Sequence, residues 1–369
     1  MGLNSKIKIL IVERSTVERN DLKAVLSESS DLEVLGTAPN GNIGLIKVRD
    51  LNPDLVILDA GISDPPPEVF TDECLGRTEP AGIILMTENT PSIAAIEKTI
   101  MSLEKGAFDF IQKPGPGEAS WVESMQRKLL PKIRGYSIKK YSRMAKQVSG
   151  GNASSVPAAG IDRVQTISRK SIASRRFRMV AVGVSTGGPE ALGRLLSFFP
   201  ADFPLPILIV LHMPKNFTVS MARDLDRKSP LSVKEAEDNE IVKGGSVYLA
   251  RGGSHLLVKC RGDGTAFLKI DDGPPVKGCR PSADLLFSSS AECFGEEVIG
   301  VIMTGMGDDG VEGIIDLKGK GALTIAQDEE TSLVWGMPGT AVRSGVIDEV
   351  VPLDDIARRI IEIVQNGRM

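Results

Sequence analysis

The chain has 369 residues, room for two ordinary domains or three small ones, and is 41% hydrophobic and 25% charged. A net charge of −4 argues against nucleic acid as the main partner, and an aromatic content of 4% argues against a large aromatic binding surface. No apolar run approaches the roughly 18 residues of a membrane span, and the first, KIKILIV, is cut short by Glu13, too early for a signal peptide, so no membrane insertion is expected.

From residue 6 to 113 short apolar runs alternate with helix-length amphipathic stretches. The runs are KIKILIV, LEVLGTA, PDLVILD, GIILMT and DFIQKP; between them lie segments such as STVERNDLKAVLSES and GNIGLIKVRDLN. This βα repeat predicts a doubly wound parallel sheet. Residues 6–113 resemble a response-regulator receiver, a flavodoxin-like (βα)5 fold assigned to residues 1–118. The resemblance makes Asp59 of PDLVILD the phosphoacceptor, Thr87 of LMT the hydroxyl switch and Lys113 of IQKP the phosphate-binding lysine. A carboxylate is phosphorylated only where positive charge neutralises the incoming group. Receivers usually end their first strand with two acids that hold Mg2+; here ILIVERS places Glu13 and then Arg14. Arginine can neither ligate a metal nor lose its charge. Glu13 and Asp59 are the candidate ligands and Arg14 opposes them, so Mg2+ is expected to bind poorly or not at all. The loop after Asp59 is unusual too, with three prolines in AGISDPPPEVF. Both a working aspartyl-phosphate receiver and a pseudo-receiver stay open.

Residues 119–178 read as a helix followed by a flexible basic linker, with Pro131 its kink or end. Between 115 and 178 there are 14 Lys or Arg against 3 Asp or Glu. The plain reading is a solvated linker. The four cysteines (Cys74, Cys260, Cys279, Cys293) form no CxxC pair. Neither a zinc site nor a disulfide framework is expected, and a reducing cytoplasm fits.

Residues 179–369 return to α/β character. The strand candidates are RMVAVGV, PILIVLH, SVYLA, HLLVKC, FLKI, EVIGVIMT and ALTIAQ, with helices after GGP, LHMPKNF, PSADLLF and GDDGVEG and at the end in PLDDIARRIIEIVQN. SVYLARGGSHLLVKC reads as a β-hairpin around Gly252 and Gly253. GVSTG matches G-x-S-x-G, a nucleophile on a strand-turn-helix elbow, where the helix N-terminus offers N–H groups to a developing oxyanion. Taken alone it fits a phosphate-binding or plain structural turn equally well. PILIVLH, however, ends in His212, and EVIGVIMTGMGDD ends in Asp308 and Asp309. Ser185, a histidine and an aspartate thus each stand at the carboxyl end of a different strand, where open parallel sheets collect their active sites. Only two histidines exist, and His255, at the start of a strand, reads as structural or substrate-proximal.

GVSTGGPEAL, LHMPKNFT, VYLARGGSHLLV, RPSADLLFSS, TGMGDDGVEG and AQDEETSLVWGMPGTAV together resemble the catalytic domain of chemotaxis protein-glutamate methylesterases over about residues 179–365. The resemblance makes Ser185, His212 and Asp309 the catalytic triad, Asp309 being preferred to Asp308 by its place in the motif. Thr186, Gly187 and Met306 fall in the nucleophile turn and oxyanion hole. It implies hydrolysis of glutamyl methyl esters, and deamidation of glutamines, on the cytoplasmic helices of chemoreceptors. A chemotaxis-type histidine kinase would act upstream, and the receiver would block the active site until phosphorylated. Arg251, where the family more often has Pro, is a small departure. No cofactor is expected for the hydrolysis, and no metal-ligand cluster is visible in this domain. The alternative is a catalytically weak signalling scaffold with a pseudo-receiver.

Overall fold

The apolar runs of the first third become five parallel strands: β1 (Ile7–Val12), β2 (Leu32–Ala38), β3 (Leu55–Asp59), β4 (Gly82–Thr87) and β5 (Asp109–Gln112). The computed structural model describes residues 6–118, 120–148 and 175–366 and divides the chain into two compact units, Met1–Ala153 and Ser154–Met369. In the first unit the order β2-β1-β3-β4-β5 is that of a flavodoxin-like sheet. Every residue of β3 and β4 is buried, as a parallel sheet covered on both faces requires. The helices are α1 (Thr16–Ser27), α2 (Gly41–Leu51), α3 (Pro67–Leu75), α4 (Ile93–Glu104) and α5 (Trp121–Val148). Ser15 and Asn40 start α1 and α2 by accepting from the N–H groups of Glu18 and Ile43. The proline-rich loop ends with Pro67 as the first residue of α3, the place where a missing N–H costs nothing.

Helix α5 does not end at Pro131 but continues to Val148. Tertiary bonds outweigh the lost helical hydrogen bond. The Tyr136 hydroxyl donates to the Asp54 carbonyl at 2.7 Å and accepts from Gly82 N–H at 3.0 Å, while Lys132 reaches Asp109 at 2.5 Å. The linker expected after this helix falls on residues 149–174, outside the described residues.

The second unit is built on seven parallel strands in the order β14-β13-β12-β6-β7-β9-β8. They are β6 (Met179–Val184), β7 (Ile207–Leu211), β8 (Ser232–Glu235), β9 (Ser246–Leu249), β12 (Val298–Ile302), β13 (Leu323–Gln327) and β14 (Glu349–Val351). The chain lays β7, β8 and β9 on one side of β6 and β12, β13 and β14 on the other. The switch point therefore lies between β6 and β12. The edge strands β8 (SVKE) and β14 (EVV) are short and only partly buried, and neither is legible as a strand in the sequence. The helices are α6 (Gly188–Ser197), α7 (Phe217–Lys228), α8 (Ala283–Phe294), α9 (Val311–Gly319), α10 (Met337–Arg343) and α11 (Leu353–Asn366). Along α11 Leu353, Ile356, Ala357, Ile360, Ile363 and Val364 form one buried stripe, each large side chain contributing about 1.5–3 kcal/mol.

The hairpin is not where Gly252 and Gly253 suggest it. Strand β9 belongs to the large sheet, and the antiparallel pair is β10 (His255–Cys260) with β11 (Ala266–Asp271). Gly252 is needed for a close approach: a Cβ there would lie 2.5 Å from the Pro214 carbonyl, and its N–H donates to Thr218 Oγ1 at 3.0 Å. The cysteines also depart from expectation. Cys260, ending β10, is disulfide-bonded to Cys293, near the end of α8, with Cα atoms 5.5 Å apart. A separation of 33 residues carries no local spacing signal. Cys74 and Cys279 are free. Among the described residues no helix is long and apolar enough to cross a membrane.

Candidate active site

Strands β12, β6 and β7 are adjacent, and their carboxyl ends carry the expected residues. Ser185 follows β6, His212 follows β7, and Asp309 lies in the loop from β12 to α9. The Ser185 N–H donates to the Thr304 carbonyl at 2.9 Å and the His212 N–H to the Val184 carbonyl at 3.2 Å, so the strand ends are tied side by side. The turn is closed by Gly188 N–H donating to the Ser185 carbonyl at 2.7 Å. Gly187 makes it possible with φ of +80°, and α6 begins at once with Pro189 in its first turn. The β12 loop comes so close that a Cβ on Gly305 would sit 2.8 Å from that of Ser185.

The imidazole and the carboxylate are paired. His212 Nε2 lies 2.6 Å from Asp309 Oδ2, which also accepts from the Ala283 N–H at 2.6 Å. The other carboxylate oxygen accepts from the Ser282 hydroxyl at 2.6 Å and from Asp284 N–H at 3.3 Å. Asp309 thus sits, 2% exposed, on the N-terminus of α8, whose free N–H groups and dipole favour an anion. Burial works to raise its pKa, but the bonds from His212, Ser282 and Ala283 outweigh it and hold the group below the usual carboxylate range. Burial likewise opposes a charge on His212. The hydrogen bonds to Asp309 and Cys279 overcome that, and the imidazole pKa is pushed up from 6.5 to about 9. Asp308, by contrast, is 61% exposed and faces Lys277 at 3.8 Å.

With Nε2 engaged by the carboxylate, Nδ1 is the nitrogen left for proton transfer. Among the described residues the Ser185 hydroxyl and the Met306 backbone N–H have no hydrogen-bond partner; catalytic bonds are commonly loose until substrate arrives. Thr186 is buried, and its carbonyl accepts from Thr304 Oγ1 at 2.9 Å. His255 is a structural residue: 1% exposed, its Nε2 donates to the Pro274 carbonyl at 3.0 Å.

Three contributors were not visible in the sequence. Ser282 looks like an N-cap before α8, yet its hydroxyl serves Asp309 instead of the helix. Gln327 accepts from Thr304 N–H at 2.9 Å and so fixes the loop behind Ser185. Cys279 places Sγ 3.8 Å from His212 Nδ1. The expectation of no metal-ligand cluster fails with it, because one donor atom each from His212, Cys279 and Asp309 lie within 4.8 Å of one another.

In the first unit Asp59 is fully buried at the end of β3. Its Oδ1 accepts from Gly61 N–H at 2.9 Å, and its Oδ2 accepts from Arg14 Nε at 2.5 Å. The guanidinium packs close against Gly61, where a Cβ would meet it at 2.1 Å. Lys113 Nζ is shared by Glu18 (2.6 Å), Glu13 (3.1 Å), Glu88 (3.1 Å) and, farthest, Asp59 (3.9 Å). Burial, then the Asp59 charge, raise Glu13 to a pKa of about 7. Thr87 is buried and its hydroxyl donates to the Ile111 carbonyl at 3.3 Å. This donor set does not fit a divalent cation: an arginine holds one Asp59 oxygen and a lysine holds Glu13.

The model of the CheB methylesterase family matches residues 180–360. A protein-glutamate methylesterase/protein-glutamine glutaminase of Trichodesmium erythraeum is 36% identical over 362 residues, covering 96% of this chain and 98% of its own. The protein of the same name from Nitrosomonas europaea is 38% identical over 356 residues, covering 96% of each. The crystal structure of the Thermotoga maritima CheB methylesterase catalytic domain is 42% identical, with a TM-score of 0.50, and covers 52% of this chain and all of its own. The chain belongs to the protein-glutamate methylesterase/protein-glutamine glutaminase family, hydrolases acting on glutamyl methyl esters and glutamine, and carries a receiver at its N-terminus.

Proposed function

We propose that Ser185, His212 and Asp309 are the hydrolytic triad and that the substrates are glutamyl methyl esters and glutamines on the cytoplasmic helices of chemoreceptors. The observation that carries this is the 2.6 Å pairing of His212 Nε2 with a buried, four-fold hydrogen-bonded Asp309, at the switch point beside the Ser185 turn. Ser185 Oγ attacks the side-chain carbonyl while His212 Nδ1 takes its proton. Asp309 stabilises the imidazolium and holds the ring so that Nδ1 faces outward. The oxyanion is received by the Met306 N–H and by the N–H groups of the turn at Thr186 and Gly187. The imidazolium returns the proton to the leaving oxygen and methanol departs; water, deprotonated by His212, then frees the acyl-serine as glutamate. With glutamine the leaving group is ammonia.

The receiver reading follows the charges around Asp59. Arg14 supplies a fixed positive charge where a metal would otherwise be needed, so phosphorylation of Asp59 by a chemotaxis-type histidine kinase, in the cytoplasm, would be insensitive to Mg2+. No step is assigned to a metal. Two measurements test the pair of readings. Ser185→Ala should abolish methanol release from a methylated receptor while leaving the fold intact; equal release by variant and wild type would end the triad. Acetyl phosphate, with and without Mg2+, should give the same single-phosphate adduct by intact mass; no adduct under either condition would make this a pseudo-receiver.

A further inference from the structure

The thiol beside His212 takes no part in the bond-making steps proposed for the hydrolysis. Cys279 is half-buried and unpaired, since Cys260 and Cys293 bond each other and Cys74 lies in the other unit. Its position is built. The Val276 and Cys279 backbones bond each other both ways, at 3.1 and 2.8 Å, around a tight turn with Lys277 at φ 49° and Gly278 at φ 78°. Lys277 fastens that turn to Asp284 (2.9 Å) and Glu312 (3.2 Å), and Arg280 and His255 bond the Gly273 and Pro274 carbonyls. The sulfur is therefore presented to the imidazole by a braced loop.

The donor geometry is that of a soft-metal site. Tetrahedral zinc, with bonds of about 2.0–2.1 Å to nitrogen and 2.3 Å to sulfur, sets those two donors about 3.6 Å apart. Nδ1 and Sγ are 3.8 Å apart. The opposite ring nitrogen is held by a carboxylate at 2.6 Å, the arrangement that orients a metal-binding imidazole and makes it a better donor. Thiolate with imidazole selects zinc-like and softer ions over magnesium or calcium.

We propose that Cys279 Sγ and His212 Nδ1, with Asp309 behind the ring, bind a thiophilic divalent ion of the Zn2+ class, and that its occupancy shuts off hydrolysis. Binding displaces to solvent the thiol proton and the Nδ1 proton of the imidazolium, and uses the Nδ1 lone pair so freed, the one that would accept the Ser185 proton. The inhibitory half rests on His212 being the proton acceptor; the binding half does not.

The test uses the full-length protein with its disulfide intact and Co2+ as a spectroscopic probe. Wild type should develop a thiolate-to-cobalt charge-transfer band that Zn2+ displaces. The band should be lost in Cys279→Ser, Cys279→Ala and His212→Gln and kept in Cys74→Ser. Zn2+ should inhibit wild-type methanol release, with recovery on chelation. Cys279→Ser, compared with its own metal-free rate, should need at least about tenfold more zinc. A band that survives Cys279→Ser, or equal zinc sensitivity of the two proteins, overturns the proposal. So does an uninhibited wild type that shows the band. Failure of the triad reading is recognised separately, by methanol release from Ser185→Ala.

Discussion

Replacing Asp309 by Asn keeps the shape of the carboxylate and removes its charge from a part-buried contact with His212. In the wild type the imidazole pKa stands at about 9 against an ordinary 6.5. A resting enzyme at neutral pH therefore holds mostly imidazolium, and kcat/KM should climb about tenfold per pH unit until it levels off near 9. In Asp309→Asn the support from the carboxylate is lost and only Cys279 still opposes burial, so the inflection should fall well below 9. The plateau should drop by about 10⁴, because an amide cannot hold the catalytic tautomer. The shift is also a stability term. A raised His212 pKa contributes stability that is full below about 6.5 and lost as pH rises through about 9. The depressed Asp309 contributes above its unfolded value and loses that contribution in acid. At about 1.4 kcal/mol per unit, the His212 part amounts to about 3 kcal/mol. Methanol release across pH, with urea unfolding followed by Trp335 fluorescence in a Trp121→Phe background, reads both effects. A wild-type inflection at or below 6.5, or an Asn variant with an unmoved inflection, would refute the reasoning.

Ser282→Ala removes a 2.6 Å donor from the buried Asp309 and should cost about 1.5–3 kcal/mol in urea unfolding, with a rise in the acid limb of the pH profile. Gly187→Ala forces a Cβ into a φ of +80° and to 2.6 Å from that of Leu333, so stability should fall by about 1–3 kcal/mol and activity with it. Breaking the Cys260–Cys293 bond frees a loop of 33 residues. The chain-entropy model gives a loss of up to about 3–4 kcal/mol for Cys293→Ser, and the same loss should follow reduction of the wild type.

The sheets, the strand-end positions of Ser185, His212 and Asp309, and the arginine beside Asp59 could all be read from the sequence, because continuous apolar runs and strand-end motifs are local signals. What escaped was set by long-range meetings. Strands β8 and β14 are short and polar enough to pass for loop, and only pairing with β9 and β13 makes them strands. Gly252 and Gly253 look like a hairpin turn, but Gly252 answers to the Pro214 backbone. Cys279 reaches His212 across 67 residues, and Ser282 reaches Asp309 across 27, through a loop whose course no periodicity describes. Lys113 could be placed at its strand end, but its sharing among four carboxylates could not.

The partner of β6 across the switch point also sets an order of events during synthesis. His212 follows Ser185 off the ribosome by 27 residues, and Asp309 follows His212 by 97 residues. At about 5–20 residues per second, that is a delay of about 5–20 s. Throughout it, β6, apolar and wholly buried in the finished unit, presents an open edge of the kind other chains can add to. The nascent protein thus holds a serine and a histidine with no carboxylate to align them. The strand that covers this edge, β12, leads directly into the loop that carries Asp309, so the edge of β6 is covered and the carboxylate delivered in one step, and β13 and β14 then extend the sheet.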